Sequence, residues 1–379
     1  MIKGRRLLIF HKAIAPYRID FFNSLNEVFE MRICPFSDHM TSQPFNHEKL
    51  SVDFQFEPFY LIKKWNLGFI KVPRGIFKQI KSFAPDLIFV NEFGLVTILV
   101  ILYKIIFFKK YQVVSICDDS YNMIADNNDF KWKHRFARKV VTPLLNDLVL
   151  VDPQVVEWYQ LHFKKGIFFP IIRNERIARD AYKAALPLTE GFIKQYEVDN
   201  LNVFLFVGRL VRLKNVDTIL NAFINLDQTK NVLIIVGEGP ERECLESLAQ
   251  KINVHALFVG RKEGDNLNIL YNIADCCILA SLQEAFGAVT NEALLAGCWC
   301  LVSNRAGSKC LIEKGKNGFT FDPTDVDDLA SFMKESTNHF ICKNQGLREN
   351  RMKYKYDELF NQLIDRLDYL FKHEPKEVN

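Results

Sequence analysis

The chain has 379 residues, of which 49% are hydrophobic and 25% are charged, and its formal net charge is +4. This is the composition of an ordinary globular protein; it excludes a disordered or fibrous chain, and the length suffices for two hydrophobic cores. Neither the nine cysteines nor the eight histidines show the spacing of a metal or redox site, so we expect buried, reduced cysteines and no bound metal.

Apolar strand-like runs alternate with helical patterns along the whole chain, which predicts an α/β fold with parallel sheets. The predicted strands of the first half are Leu7–Phe10, Met31–Pro35, Leu87–Asn91, Gln112–Cys117 and Leu148–Val151, with Phe168–Ile172 as a last candidate. Those of the second half are Val203–Val207, Val232–Val236, Ala256–Val259, Cys277–Ala280 and Cys300–Ser303. Two Rossmann-like sheets are therefore expected.

Two segments indicate whether the chain is exported or enters a membrane: its beginning and one apolar stretch. Arg5-Arg6 lead directly into a strand-like run without a cleavage-site pattern, so we expect a cytoplasmic protein. Leu95–Phe108 is almost wholly apolar, but a spanning helix needs about twenty residues. A buried crossover helix is the favoured interpretation; shallow insertion at a bilayer face is the alternative, because Lys109-Lys110 follows at once.

Charge is divided unevenly between the two halves. Residues 1–185 carry 27 Lys and Arg against 18 Asp and Glu, a net +9, which leaves 22 against 27, a net −5, for the remainder. A basic half suits anionic lipid headgroups or a lipid diphosphate carrier, although scattered charges on solvated helices give the same count. No nucleic-acid-binding signature accompanies the charge, so we expect no nucleic acid partner.

The first motif of the second half follows a predicted strand. That strand ends at Gly208, and the cations Arg209 and Lys214 come before the next helix. Glycine lets a backbone turn approach a ligand closely, while a guanidinium and an ammonium suit a diphosphate. A surface pair that neutralises nearby acids is the alternative interpretation.

The second motif is a pair of carboxylates, Glu284 and Glu292, placed eight positions apart around Gly287. A helix predicted to begin at Gly287 would point the amides of Phe286, Gly287 and Ala288 at an anion, at the carboxyl end of a strand. The two carboxylates could then accept hydrogen bonds from sugar and ribose hydroxyls. Two solvated acids on an amphipathic helix are the alternative.

Further glycine motifs lie in order around these two, at Gly237-Glu238-Gly239-Pro240, Gly260-Arg261 and Gly307-Ser308. Over about residues 200–330 the series resembles the family 4 glycosyltransferases of the GT-B fold. The resemblance implies two Rossmann-like domains that face a central cleft, a last helix that crosses back to the amino-terminal domain, and transfer with retention from a nucleotide-diphosphate sugar.

The resemblance also implies individual roles. Arg209 and Lys214 would hold the donor diphosphate, Glu284 the transferred sugar and Glu292 the ribose. The rest of the implied donor site is Gly208, Gly260, Arg261, Phe286, Gly287 and Ala288. The nucleotide sugar would be a co-substrate, and no further cofactor is implied.

Amino-terminal motifs point to the acceptor. Pro16-Tyr17-Arg18 follows the first strand, where many family members have this sequence facing the acceptor; loop packing is the alternative. A histidine expected near the sugar is replaced by Cys117, followed by Asp118-Asp119, for which capping of the loop is the alternative. The Gly-Gly-x-Pro-Glu of many relatives is Ala306-Gly307-Ser308-Lys309-Cys310 here, so the sugar is not predicted.

The predicted organisation has an acceptor-binding domain at 1–185, a donor-binding domain at 186–346 and a crossover helix with tail at 347–379. The predicted function is a cytoplasmic, metal-independent, retaining glycosyltransferase acting on a glycan, with a lipid-linked one favoured. A degenerate glycan-binding or scaffold subunit and a GT-B nucleotide-sugar epimerase are the alternatives. Dinucleotide oxidoreductases and P-loop NTPases are disfavoured, because their glycine fingerprints are absent.

Overall fold

The computed structural model describes residues 2–37, 50–67, 70–121, 124, 132–340 and 346–373. The chain divides into two compact units, the first made of Met1–Ile171 with Asp357–Asn379 and the second of Ile172–Tyr356. The predicted tail beyond residue 373 lies outside the described residues. Among the described helices, none is long and apolar enough to cross a membrane.

The first unit contains eight described strands. They are β1 (Arg6–His11), β2 (Glu30–Pro35), β3 (Lys64–Leu67), β4 (Ile70–Pro73), β5 (Leu87–Asn91), β6 (Gln112–Cys117), β7 (Asp147–Leu150) and β8 (Ile167–Phe168). Six form a parallel sheet in the order β2-β1-β5-β6-β7-β8, while β3 and β4 pair as an antiparallel hairpin. The five predicted strands of this half are confirmed, but the last candidate, Phe168–Ile172, overlaps β8 only at Phe168. The hairpin was not predicted.

Helices cover this sheet. They are α1 (Ile19–Val28), α2 (Ile76–Phe83), α3 (Leu95–Ile106), α4 (Trp132–Val141) and α5 (Pro153–Phe163). One apolar cluster joins the buried residues of β1, β5, β6 and β7 to the inner faces of α2, α3 and α5, for example Ile80, Val100 and Val155. Leu95–Phe108 therefore forms a crossover helix with a buried inner face, as predicted, but its last residues are exposed.

The second unit repeats the scheme. Its strands are β9 (Asn202–Val207), β10 (Asn231–Val236), β11 (Ala256–Gly260), β12 (Cys276–Leu279), β13 (Trp299–Ser303) and β14 (Gly318–Phe321). They form a parallel sheet in the order β11-β10-β9-β12-β13-β14. The order reverses direction between β9 and β12, which is where ligands bind in such sheets. All strands but β14 were predicted.

The helices of the second unit are α6 (Glu175–Tyr196), α7 (Val216–Phe223), α8 (Arg242–Lys251), α9 (Asp265–Ile273), α10 (Ala288–Leu295) and α11 (Val326–Ser336). The side chain of Asp325 caps α11 by accepting from the amides of Asp327 and Asp328, each at 3.0 Å. The cap satisfies donors that the first turn leaves open.

The predicted division between 185 and 186 falls inside α6, whereas the compact units divide between 171 and 172. Helix α6 belongs to the second unit because its side chains bond there: Arg179 Nη1 donates to Leu295 O at 2.9 Å, and Tyr182 Oη donates to Glu292 O at 3.0 Å. The predicted boundary thus lies within a helix whose polar residues make tertiary hydrogen bonds.

The last helix, α12 (Tyr356–Lys372), returns to the first unit. Arg366 Nε lies 2.9 Å from the buried Asp147 Oδ2, and the Phe360 ring meets Phe169 edge-on with centroids 6.3 Å apart. The described residues before it stay with the second unit, where Arg348 Nη2 donates to Tyr271 O at 2.6 Å. The return of the chain to the first unit thus starts at 357 rather than at the predicted 347.

Candidate functional site

Three adjacent strands of the second unit have a glycine at their carboxyl ends: Gly208 follows β9, Gly237 follows β10, and Gly260 is the last residue of β11. The amide of Gly208 donates to Val236 O, and the amide of Gly237 donates to Gly260 O, each at 3.0 Å. A Cβ on Gly237, whose φ is +145°, would lie 1.8 Å from the carbonyl oxygen of Gly208. Only glycine fits this contact, which packs the two loops tightly at the carboxyl end of the sheet.

The loop after β9 and the loop after β12 are bound together. The amide of Leu282 donates to Leu213 O at 2.9 Å, and the buried Asn215 donates from Nδ2 to Ala280 O at 3.2 Å and to Pro323 O at 2.7 Å. These contacts place the short helical turn that ends at Lys214 beside the strand end that precedes Glu284.

Lys214 and Glu284 form an ion pair between Nζ and Oε2, and Ser281 Oγ donates to the same carboxylate oxygen at 3.2 Å. Both side chains are largely buried, with 16% and 21% of their surface exposed. A lysine ammonium has three donors, so Lys214 can hold Glu284 and still donate to a phosphate oxygen. Sequence reasoning assigned these residues to one site but did not predict that they pair.

Helix α10 begins next to this pair. Gly287 precedes it with φ +94°, and a Cβ there would lie 2.4 Å from Leu279 Cδ2 and 3.4 Å from Glu284 Cγ. Because the first amides of a helix have no partner within it, those of Gly287 and Ala288 point outward and favour an anion. The ring of Phe286 is buried, which leaves only its backbone for a ligand.

The Gly307 loop, which departs from the family pattern, braces this helix start. The amide of Ser308 donates to Phe286 O at 2.8 Å, and the hydroxyls of Ser308 and Thr290 are hydrogen-bonded at 2.9 Å. A Cβ on Gly307 would lie 2.2 Å from Ala285 O. The loop therefore keeps a positioning role although the proline and glutamate of the pattern are missing.

Glu292 lies on the first turns of α10 and is held by residues that sequence reasoning missed. Tyr271 Oη donates to Glu292 Oε2 at 2.8 Å, and burial raises the pKa of Tyr271 well above its ordinary value. Tyr271 comes from α9 and carries no sequence signal. Each of the two glutamates is thus anchored by a partner side chain, one on either side of Gly287.

The remaining predicted donor residues lie at neighbouring strand ends. Arg209 follows Gly208 and is half-buried. Arg261 is exposed and pairs with Glu263, with Nε 2.8 Å from Oε1. Since β11 is separated from β12 by β10 and β9, Gly260 and Arg261 lie farther from Glu284 than Lys214 does.

A second polar cluster lies at the carboxyl ends of the strands of the first unit. Arg18 pairs with Asp118, and Arg138 Nη2 lies 2.9 Å from Asp119 Oδ2. Arg18 is almost fully buried, so its guanidinium positions Asp118. Pro16 is exposed to solvent, and Tyr17 is partly exposed. The two aspartates are therefore held by arginines.

Cys117, which stands where a histidine was expected, is fully buried, and burial raises the pKa of its thiol well above the ordinary value. A neutral, enclosed thiol cannot exchange a proton with a ligand at neutral pH. Cys117 is thus a core residue at the end of β6.

Glu92 is the residue of this cluster that sequence reasoning missed. It follows β5 with a left-handed φ of 54°, and its carbonyl accepts from the hydroxyls of Thr97 and Ser115 at 2.9 and 2.8 Å. The residue as a whole is exposed, but desolvation around its carboxyl raises the pKa to about 7, and the charges of Asp118 and Asp119 add to this. Such shifts are typical of functional sites.

The buried His11, at the end of β1, should make the free energy of unfolding depend on pH. Desolvation, with nearby Arg18, lowers its pKa from 6.5 to about 4. The unfolded chain therefore binds a proton between pH 6.5 and 4 that the folded chain does not, and the free energy of unfolding should fall as the pH drops through this window. Urea unfolding at several pH values should show a shallower fall for His11→Gln; parallel curves would contradict the assignment.

Within the described residues, no group of three or more His, Cys, Asp or Glu side chains is placed to hold a metal ion. The positive charge beside Glu284 comes from Lys214 and from the start of α10.

The segment that contains this site matches a known protein family. Residues 190–354 match the family model described as glycosyl transferases group 1. The chain is 34% identical over 174 residues to an uncharacterized glycosyltransferase of Methanocaldococcus jannaschii, covering 44% of this chain and 45% of that one. It is 28% identical over 175 residues to D-inositol 3-phosphate glycosyltransferase of Corynebacterium urealyticum, covering 42% and 41%. The match thus spans less than half the length of these curated relatives.

Solved structures resemble nearly the whole chain. Anabaena HepE in complex with UDP and glucose has a TM-score of 0.73 at 16% identity, covering 97% of this chain and 100% of that one. The chain has the GT-B fold. The lipopolysaccharide outer core galactosyltransferase WaaB gives a TM-score of 0.65 at 15% identity, covering 95% and 99%. At these identities the likeness establishes the GT-B fold, and the family match applies to residues 190–354.

Proposed function

We propose that this protein is a family 4, retaining glycosyltransferase that moves a sugar from a nucleotide-diphosphate sugar to a lipid-linked glycan in polysaccharide or glycolipid biosynthesis. The observation that carries the proposal is the Lys214–Glu284 pair, set beside the start of α10 where the strand order reverses. The group 1 match over the same segment and the UDP and glucose bound by HepE support it.

The donor is held by charges already in place. Lys214, Arg209 and the amides of Gly287 and Ala288 stabilise the diphosphate as its bond to the sugar breaks, an electrostatic role worth several kcal/mol, or on the order of 100-fold in rate. Glu284 accepts hydrogen bonds from sugar hydroxyls, and Glu292 from the ribose. The acceptor hydroxyl attacks from the face that the diphosphate leaves, and its proton passes to the leaving phosphate oxygen, so no protein nucleophile is required.

The acceptor binds the first unit in this proposal. Tyr17, the Arg18–Asp118 pair and Glu92 offer hydroxyl, carboxylate and carboxyl groups suited to the hydroxyls of a glycan. The net positive charge of residues 1–185 suits a phosphate-bearing carrier lipid at the inner face of a membrane. In this proposal the protein therefore acts in the cytoplasm.

Thermal unfolding with added nucleotides tests the donor. A ligand that binds only the folded chain raises its stability, so one of the UDP-, GDP- or ADP-sugars should raise the Tm while the free sugar does not. Radiolabelled sugar from that donor should then pass to a membrane lipid extract. No shift with any nucleotide sugar would contradict the proposal, whereas a shift without transfer would favour a degenerate binding subunit.

Turnover should not depend on a divalent cation, because two side-chain cations and a helix start already face the diphosphate. With the donor identified, the rate in excess EDTA should stay within about twofold of the untreated rate. Complete loss on chelation, restored by magnesium or manganese, would show that a metal neutralises the phosphates instead.

A further inference from the structure

The carboxyl end of α3 carries an unusual set of exposed apolar side chains. Four large residues stand in a row and are open to solvent: Ile105 52%, Ile106 62%, Phe107 55% and Phe108 90%. Soluble proteins expose such residues singly, and a contiguous group marks a contact surface.

The backbone supports a role for this tip beyond folding. Phe108, the second residue after α3, has φ +49°, a conformation that is rare and strained for a bulky residue and usually belongs to glycine. Its side chain is nearly free of the protein, so packing does not explain its presence there.

Aromatic packing fixes the tip to the neighbouring helix. Phe77 of α2 stacks on Tyr103 of α3 with centroids 5.0 Å apart, and Tyr103 in turn packs on Phe107 at 4.6 Å. The inner faces of both helices are locked in the apolar core, for example at Ile80 and Val100. The exposed tip is therefore presented on a rigid support.

Positive charge surrounds the tip. Lys109 and Lys110 follow it, and a cavity of about 410 Å³ beside them is lined by charged side chains. The charged lining residues are Arg5, Arg6, Lys81, Lys109, Lys110 and Asp86. Asp86 is engaged, since its Oδ2 accepts from the amide of Arg6 at 2.8 Å. Five cations against one carboxylate give this cavity a net charge of +4, which suits an anionic phosphate.

We propose that the tip of α3 inserts into an anionic lipid bilayer and that the adjacent cavity binds the phosphate of a lipid headgroup. Exposed apolar side chains that are flanked by lysines are typical of proteins that bind the surface of a membrane without crossing it. Insertion of Phe107 and Phe108 buries apolar surface, and the cations neutralise the negative membrane. The proposal deepens the proposed function, whose acceptor is lipid-linked, but binding itself needs no donor or transfer.

Vesicle flotation of the full chain, without nucleotide, tests this. Wild type should bind phosphatidylglycerol-containing vesicles and not pure phosphatidylcholine, with weaker binding at high salt. Phe107→Ser with Phe108→Gly should lower the partition coefficient at least about tenfold. Glycine suits the left-handed position of Phe108, and urea unfolding checks that loss of the Phe107–Tyr103 packing leaves the chain folded. Lys109→Glu with Lys110→Glu should lower it about 30-fold. A soluble glycerophosphate added in excess should weaken binding by competing for the cavity without abolishing it, because the inserted tip still holds the protein; no effect would contradict a phosphate site in the cavity.

Matched controls come from exposed positions elsewhere. Leu161→Ser and the pair Lys251→Glu with Lys334→Glu should bind like wild type. Equal loss in controls and tip variants, or no loss in either tip variant, would overturn the proposal. Dimerisation abolished by the tip variants in light scattering would instead assign the surface to a second copy. Because nucleotide-sugar stabilisation is measured separately, failure of membrane binding and failure of the proposed transfer are distinguishable.

Discussion

Replacing Lys214 with alanine is expected to weaken nucleotide-diphosphate binding by about 1–3 kcal/mol, the range of a charge-assisted hydrogen bond. The change removes one cation and leaves the partly buried Glu284 carboxylate without its partner, so a like charge then faces the phosphates. Arg209→Ala should have an effect of similar size. Isothermal titration calorimetry with the bare nucleotide diphosphate measures both.

Lys251→Ala is the control, because Lys251 is exposed at the end of α8 in the same unit. Its affinity should equal that of wild type. If Lys214→Ala and Arg209→Ala both kept wild-type affinity while remaining folded, the diphosphate would have to bind elsewhere.

The two glutamates should separate into a residue for turnover and a residue for binding. Glu284→Gln is expected to lower kcat on the order of 100-fold with little change in the affinity for the bare nucleotide diphosphate. Glu292→Gln should weaken that affinity by about 1–2 kcal/mol, because one ribose contact loses its charge. Steady-state kinetics together with calorimetry distinguish the two effects.

Tyr271→Phe gives an internal check on this division. It removes the hydrogen bond to Glu292 Oε2 without changing any charge, so it should reproduce part of the Glu292→Gln loss and leave kcat nearly unchanged. Wild-type transfer and nucleotide affinity in both glutamine variants would contradict the roles assigned to the two glutamates.

Much of the fold follows from local patterns. The apolar runs that became β1, β5, β6, β9, β10 and β12 were recognisable because strands buried on both faces are nearly continuously hydrophobic. The short strand β14 and the hairpin of β3 and β4 were not predicted, because these segments lack a continuous apolar run and their pairing depends on neighbours. The start of α11 was predictable because its cap at Asp325 is a local hydrogen bond.

The last helix and the unit boundary show the limit of such patterns. An amphipathic stretch at the end of the chain indicates a helix but not the surface that it covers. Its return to the first unit was expected only from the family resemblance, and it rests on contacts such as Arg366 with Asp147. The predicted boundary between residues 185 and 186 falls within α6, although Tyr182 and Arg179 of this helix bond within the second unit.

By itself the sequence determined the alternation of strands and helices and the glycines at strand ends, because these are properties of neighbouring residues. Tertiary structure alone decided that Lys214 meets Glu284 across 70 positions, that Tyr271 holds Glu292, and that Phe107 and Phe108 are left exposed. The reason is physical: periodicity reports which face of an element is buried, whereas the order of strands in the sheet sets which distant side chains become partners.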